Sequence, residues 1–169
     1  MGLGGPMIWW NEDFCEQLAA RGFHVIRFDN RDAGHSFRAE GRVRTTDIVR
    51  AFLGRPVARP YGLEDLAADA FDLLDHLDID TAHLVGMSMG GMIAQTMAIA
   101  HPERVRSLTS IMSTTGGRTV GWQDPRILPI LLKPSSGVDS YVRNALALWR
   151  KIQSPRYPLS ETVINERSL

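Results

Sequence analysis

With a single cysteine, Cys15, this 169-residue chain has no internal disulfide and must rely on a packed core. Cys15 falls in an early helical stretch, where a free cysteine behaves as a small core residue rather than a nucleophile. Charge of neither sign is in surplus. Lys plus Arg and Asp plus Glu both number 19, which removes the usual electrostatic basis for holding nucleic acid, an anionic membrane or a polyacidic partner. No run approaches the ~20 apolar residues of a membrane span. The first ten residues lack the basic region and small-residue cleavage site of a secretory signal. The sequence reads as a cytoplasmic protein that takes small neutral molecules, with no nucleic-acid or membrane partner and no metal or cofactor called for.

What is present is enough apolar residue for one core, arranged with two periodicities. Residues 1–11, MGLGGPMIWWN, read as a loop, after which Asn11 or Asp13 caps a helix that runs to about Ala20 and ends at Arg21-Gly22. The run FHVIRF, Phe23 to Phe28, has the composition of a β-strand and is followed by the loop DNRDAGHS. Residues 39–61 form an excursion rich in arginine, glycine and proline. Leu66, Ala67, Ala70, Phe71, Leu74 and Leu77 then recur at helical spacing, which predicts an amphipathic helix over 63–77 with these six residues inward. A short strand from Ala82 to Val85, an apolar helix from Met89 to Ala100 and a third strand from Val105 to Met112 follow. Strand, helix, strand, helix, strand is the pattern of a parallel sheet covered by helices, the α/β class. After Met112 the texture changes: Ser113 to Gly121 is polar and glycine-rich, and from Pro125 onward come helical segments broken by Pro129, Pro134, Pro155 and Pro158, with no further strand.

The chemistry lies in Gly86-Met87-Ser88-Met89-Gly90-Gly91, set between the second strand and the helix after it. Gly-x-Ser-x-Gly in this context makes a nucleophile elbow, a sharp turn that holds a serine exposed. Glycine is needed two residues to either side because backbone must pass where a Cβ would clash. The helix that follows turns its free amides and positive dipole end toward the same point, which favours a developing oxyanion. Ser88 is thus the candidate nucleophile.

The segments MGLGG, FDNRDAGHS, HLVGMSMGGMIAQTMAIAHPERVRSLTSI and LWRKIQSPRYP together resemble the α/β-hydrolase family, in its esterase-like group with the aclacinomycin methylesterases. The resemblance implies a partial α/β-hydrolase core over 1–118 and the start of a helical cap over 119–169. It implies an oxyanion hole made by the backbone amides of Leu3 and Met89, with Met1 where the family usually carries histidine. A cap would give an apolar pocket with Trp9, Trp10, Met87 and Trp149 as candidate lining.

The chain departs from the family in its proton-transfer groups. The family orders its triad as serine, then acid, then histidine. Downstream of Ser88 the one histidine is His101, and every acid there, Glu103, Asp124, Asp139, Glu161 and Glu166, follows it. His101 stands at the far end of the helix that starts at the elbow, roughly 20 Å away at ~1.5 Å per residue. His24 and His83 begin strands and His76 lies on a helix, so only His35, beside Asp29 and Asp32, falls at the carboxyl edge of the sheet where functional groups gather. His35 is therefore the candidate substitute base. The strand that the family places between those at 23–28 and 82–85 is also missing. The expectation is a truncated serine hydrolase of carboxylic esters, weak for want of its acid and histidine, with a small-molecule ester as substrate and a second copy or a completing chain as partner. The alternative is a non-catalytic remnant of the fold that binds an apolar ligand or another chain.

Overall fold

The structure, a computed structural model, describes residues 1–40, 57–117, 120–121, 124, 126–131, 133, 138–157, 160 and 162. Residues 41–56, the greater part of the excursion expected over 39–61, lie outside the described residues. The chain forms two compact units, Met1–Val120 and Gly121–Leu169.

In the first unit, a 3-10 turn at Met7–Trp9 leads into α1 (Glu12–Ala19), and α2 (Leu63–His76) precedes β1 (Ala82–Met87), α3 (Met89–Ala100) and β2 (Val105–Ile111). β1 and β2 pair in parallel, from Ala82 opposite Val105 to Met87 opposite Ile111. The crossover helix α3 returns the chain from the top of β1 to the foot of β2, as parallel pairing demands. Glu64 and Asp65 occupy the first turn of α2, where the helix dipole favours acids, and the Asp65 carboxylate accepts the Gly62 N–H at 2.7 Å. At the other end Asp78 adopts a left-handed φ of 55°, which lets the Ile79 N–H reach back to the Leu74 carbonyl at 2.9 Å and close the helix.

The core is the face of α2 that carries Leu66, Ala67, Ala70, Phe71 and Leu74, packed on Ile93 and Met97 of α3. Burial of each larger side chain is worth about 1.5–3 kcal/mol. Leu77 does not join it: it falls past the last helical turn and is 43% exposed. Arg104 ties the end of α2 to the foot of β2, pairing with Asp75 at 2.6 Å, donating to the Asp80 carbonyl at 2.5 Å and lying over the Phe71 ring. Cys15 is half-buried on α1.

The strand expected at Phe23–Phe28 is not formed. These residues enter no ladder, and among the described residues the sheet has two strands, β1 and β2. The segment is held by side chains instead. The Phe23 ring meets the His83 ring edge-on at 5.6 Å, and Arg27 donates to the Trp10 carbonyl at 3.0 Å and pairs with Glu12. Phe28, Arg31 and, from α2, Asp69 and Leu73 help line an open cleft of about 360 Å³, where Arg31 pairs with both Asp69 oxygens. Aromatic and β-branched residues report a side-chain fit to a pleated surface, but a strand also needs a neighbour to bond. Among the described residues no strand lies on that side of β1, and Phe23, Ile26, Phe28 and Val85 remain 36% or more exposed.

In the second unit, the described residues include α4 (Leu128–Leu131) and α5 (Val138–Ile152), and no strand beyond a single bridge between Ser154 and Tyr157. Arg126 grips Asp124 through several hydrogen bonds and pulls that carboxyl down to about 2. Among the described residues no helix is long and apolar enough to cross a membrane.

Among the described residues the outer edge of β1 has no strand partner, and an open strand edge beside exposed apolar side chains invites association. The 18.8 kDa chain is expected to sediment as a species larger than a monomer at tens of micromolar. A compact monomer that melts cooperatively would show that the two-stranded sheet is sufficient by itself.

Candidate active site

Ser88 lies between the last residue of β1 and the first of α3, as the N-cap of that helix. Its backbone is at φ 54° and ψ −119°, a region that an L-residue enters at a cost of order 1–3 kcal/mol. The surrounding glycines show what makes this arrangement fit. A Cβ on Gly86 would fall 2.1 Å from the Gly90 carbonyl oxygen, so β1 and the first turn of α3 can approach only with glycine there. A Cβ on Gly90 would fall 2.7 Å from the Met1 carbonyl oxygen, so the amino-terminal loop rests directly on the start of α3.

That loop brings Gly2, the residue before Leu3, to the serine. Gly2 is in contact with Ser88, such that a Cβ there would be 3.7 Å from the Ser88 Oγ. The Gly5 N–H bonds the Gly2 carbonyl at 3.0 Å in a tight turn that Gly4 completes at φ 65°, and the Leu3 N–H takes no part in that turn bond. Met89 is the first residue of α3, a position whose amide has no acceptor within the helix. Burial lowers the pKa of the Met1 amino group, against an opposing pull from Asp29.

Asp29 organises the rest of this edge. One of its carboxylate oxygens accepts the Met7 N–H at 2.6 Å and the other accepts the His35 N–H at 3.0 Å, so a single side chain ties the Ser88-facing loop to the loop that carries His35. His35 itself is exposed. Asp32 accepts the Ala39 N–H at 2.9 Å and the Tyr61 hydroxyl at 2.5 Å. Burial, with that bond to Asp32, pushes the Tyr61 phenol up to about 12. Both acids near His35 are thus engaged with backbone amides or Tyr61.

His101 lies past the far end of α3, bonded to Glu103 at 3.1 Å. His83 bonds the Ser107 hydroxyl at 2.7 Å at the foot of the sheet. Trp9 covers Gly5, whose Cβ would meet its ring at 2.9 Å, while Trp10 stacks on Phe14 at 5.9 Å. Met87 is half-buried at the end of β1, and Trp149 is a half-buried residue of α5 in the second unit. Among the described residues no three His, Cys, Asp or Glu side chains gather to hold a metal ion. The sequence reading missed two residues here. Sequence marks Asp29 only as a neighbour of His35, and carries no signal for Ser113, whose hydroxyl donates to the Ser88 carbonyl at 2.7 Å.

The sequence profile of the alpha/beta hydrolase fold family matches residues 2–135, and the chain belongs to that family. It is 39% identical over 103 residues to the rhodomycin D methylesterase of Streptomyces peucetius, an alignment that covers 61% of this chain and 30% of that protein. It is 44% identical over 85 residues to the dihydrolipoyllysine-residue acetyltransferase component of the acetoin cleaving system of Pseudomonas putida, covering 50% of this chain and 23% of that one. The chain thus spans less than a third of the length of either relative. A crystal structure of a hydrolase from Pseudomonas aeruginosa superposes with a TM-score of 0.64 at 22% identity, covering 99% of this chain and 54% of that one, a likeness of fold.

Strain at Ser88 has a measurable consequence. Glycine occupies a positive φ without penalty, so Ser88→Gly should be more stable than Ser88→Ala by about 1 kcal/mol in denaturant unfolding, less what glycine adds to unfolded-chain entropy. Gly86→Ala should instead lose about 1–3 kcal/mol or fail to fold, because its Cβ meets backbone. A Ser88→Gly variant less stable than Ser88→Ala by the full ~0.4–1 kcal/mol of glycine's unfolded-chain entropy would mean that the turn is not strained.

Proposed function

We propose that this chain carries the nucleophile and oxyanion hole of a carboxylic ester hydrolase that acts on a small-molecule ester. The observation that supports this most is the Ser88 backbone, held left-handed at the strand–helix junction with Gly2 packed against its side chain. In this reading the Ser88 Oγ attacks the acyl carbonyl and yields its proton to a base. The carbonyl oxygen gains the negative charge and is held by the amides of Leu3 and Met89. Collapse expels the alcohol, which takes up a proton, and leaves an acyl-enzyme for water to hydrolyse. The methylesterase relative supports an ester as substrate. Substrate class is set by the pocket and not by the elbow, so the elbow leaves the acyl and alcohol groups open.

His35 is the candidate base, on the strength of the Asp29 bond that ties its loop to the one facing Ser88. An oxyanion hole without full base assistance still gives a rate roughly 10³–10⁴ above water. The chain is therefore expected to hydrolyse activated esters slowly.

Treatment of the full chain with a fluorophosphonate should label it once, and Ser88→Ala should abolish the labelling. Absence of labelling would favour a fold that binds without catalysis. In the same assay His35→Gln should slow labelling by on the order of 10² if His35 transfers the proton. An unchanged rate removes His35 from the scheme.

A further inference from the structure

The end of β2 grips Ser88 at both of its backbone polar groups. The Ser88 N–H donates to the Ile111 carbonyl at 2.9 Å, and the Ser88 carbonyl accepts from the Ser113 hydroxyl at 2.7 Å as well as from the Gly91 and Met92 amides at 2.9 and 3.3 Å. The two amide bonds belong to the opening turn of α3. The bond from Ser113 does not, since it comes from 25 residues downstream, beyond the end of the other strand.

Two local features make that bond fit. Met112 is left-handed at φ 48°, a conformation that an unbranched side chain seldom adopts, and it turns the chain back toward the elbow just before Ser113. Burial of Met112 does not account for the turn, because its side chain is 64% exposed. On the facing side, a Cβ on Gly91 would lie 2.6 Å from the Ser113 Cβ and 2.7 Å from its Oγ, so glycine at 91 leaves the space that Ser113 occupies. Gln95 fastens the same corner, donating to the Ser110 hydroxyl and to the Thr114 carbonyl.

The Ser88 carbonyl and the Met89 N–H belong to one trans peptide unit, in which the C=O and N–H bonds point in opposite directions. Whatever fixes the oxygen also fixes the direction of the amide. We propose that Ser113 is a positioning residue for the oxyanion hole: its hydroxyl locks the Ser88–Met89 peptide so that the Met89 amide faces the place where the acyl oxygen becomes charged. A hydrogen bond to the carbonyl also polarises the peptide and makes its N–H the stronger donor. This assignment rests on the ester hydrolase reading and adds to it a residue outside the elbow motif.

Removal of an oxyanion donor outright costs roughly 10²–10³ in rate, so loss of its orientation should cost less, on the order of tenfold. The test uses the full chain with Ser113→Ala, which removes the donor, and Ser113→Cys, which keeps the shape with a weak S–H donor. For hydrolysis of p-nitrophenyl acetate, Ser113→Ala should lower kcat about tenfold with KM within about twofold, and Ser113→Cys should fall between. A general loosening of the site would raise KM and leave the two variants in no order. The Met89 amide resonance should move upfield in Ser113→Ala while amides farther along α3 stay in place. Unchanged kcat and an unmoved Met89 resonance would overturn the proposal. If the parent chain neither hydrolyses ester nor accepts the phosphonate, the ester hydrolase reading fails by itself. The Met89 resonance then still decides whether Ser113 sets this peptide.

Discussion

The left-handed backbone of Ser88 is the constraint around which the first unit is arranged. An L-residue leaves such a conformation unless its surroundings determine it several times over. Here β1 delivers the chain to the turn, α3 begins immediately after it, and the end of β2 bonds the Ser88 amide and carbonyl from outside. Gly86, Gly90 and Gly91 each stand where a side chain would strike a neighbour, respectively the first turn of α3, the Met1 carbonyl and Ser113. The turn is thus held by contacts from four separate stretches of sequence. The packing of α2 on α3 anchors the helix whose first turn shapes it.

The same geometry links the elbow to the amino-terminal loop. Gly2 lies against Ser88, the turn from Gly2 to Gly5 leaves the Leu3 amide out of its own hydrogen bond, and Asp29 fastens Met7 to the loop of His35. In the proposed reading, the Leu3 and Met89 amides supply two fixed dipoles, from distant parts of the chain, beside one hydroxyl. Such fixed dipoles stabilise a developing charge with little reorganisation, which is why an arrangement of this kind suits acyl chemistry. It does not by itself choose a substrate, and relatives described as a methylesterase and an acetyltransferase component resemble this chain in comparable measure.

Much of this was legible in the sequence, for definite reasons. The elbow was readable because glycine spacing and the switch from strand to helix occur within six residues, and α2 because its apolar residues recur at helical spacing. Leu77 fits that spacing but lies beyond the left-handed stop at Asp78, so periodicity alone overran the helix by one residue. Phe23–Phe28 failed as a strand because β-forming composition describes side chains, while pairing depends on a neighbour, and among the described residues β1 has none on that side. Ser113 was invisible for a different reason: its role depends on a left-handed methionine, a residue type that gives no signal for that conformation, and on a partner 25 residues away.

The most direct measurement is the crystal structure of the chain after reaction with a phosphonate, in which the phosphoryl oxygen stands in for the oxyanion. If the strained turn exists to present Ser88 beneath two fixed amides, that oxygen will lie about 2.7–3.1 Å from the backbone nitrogens of both Leu3 and Met89, with Ser88 still left-handed. An adduct whose oxygen points to solvent, or a Ser88 relaxed to negative φ, would contradict it.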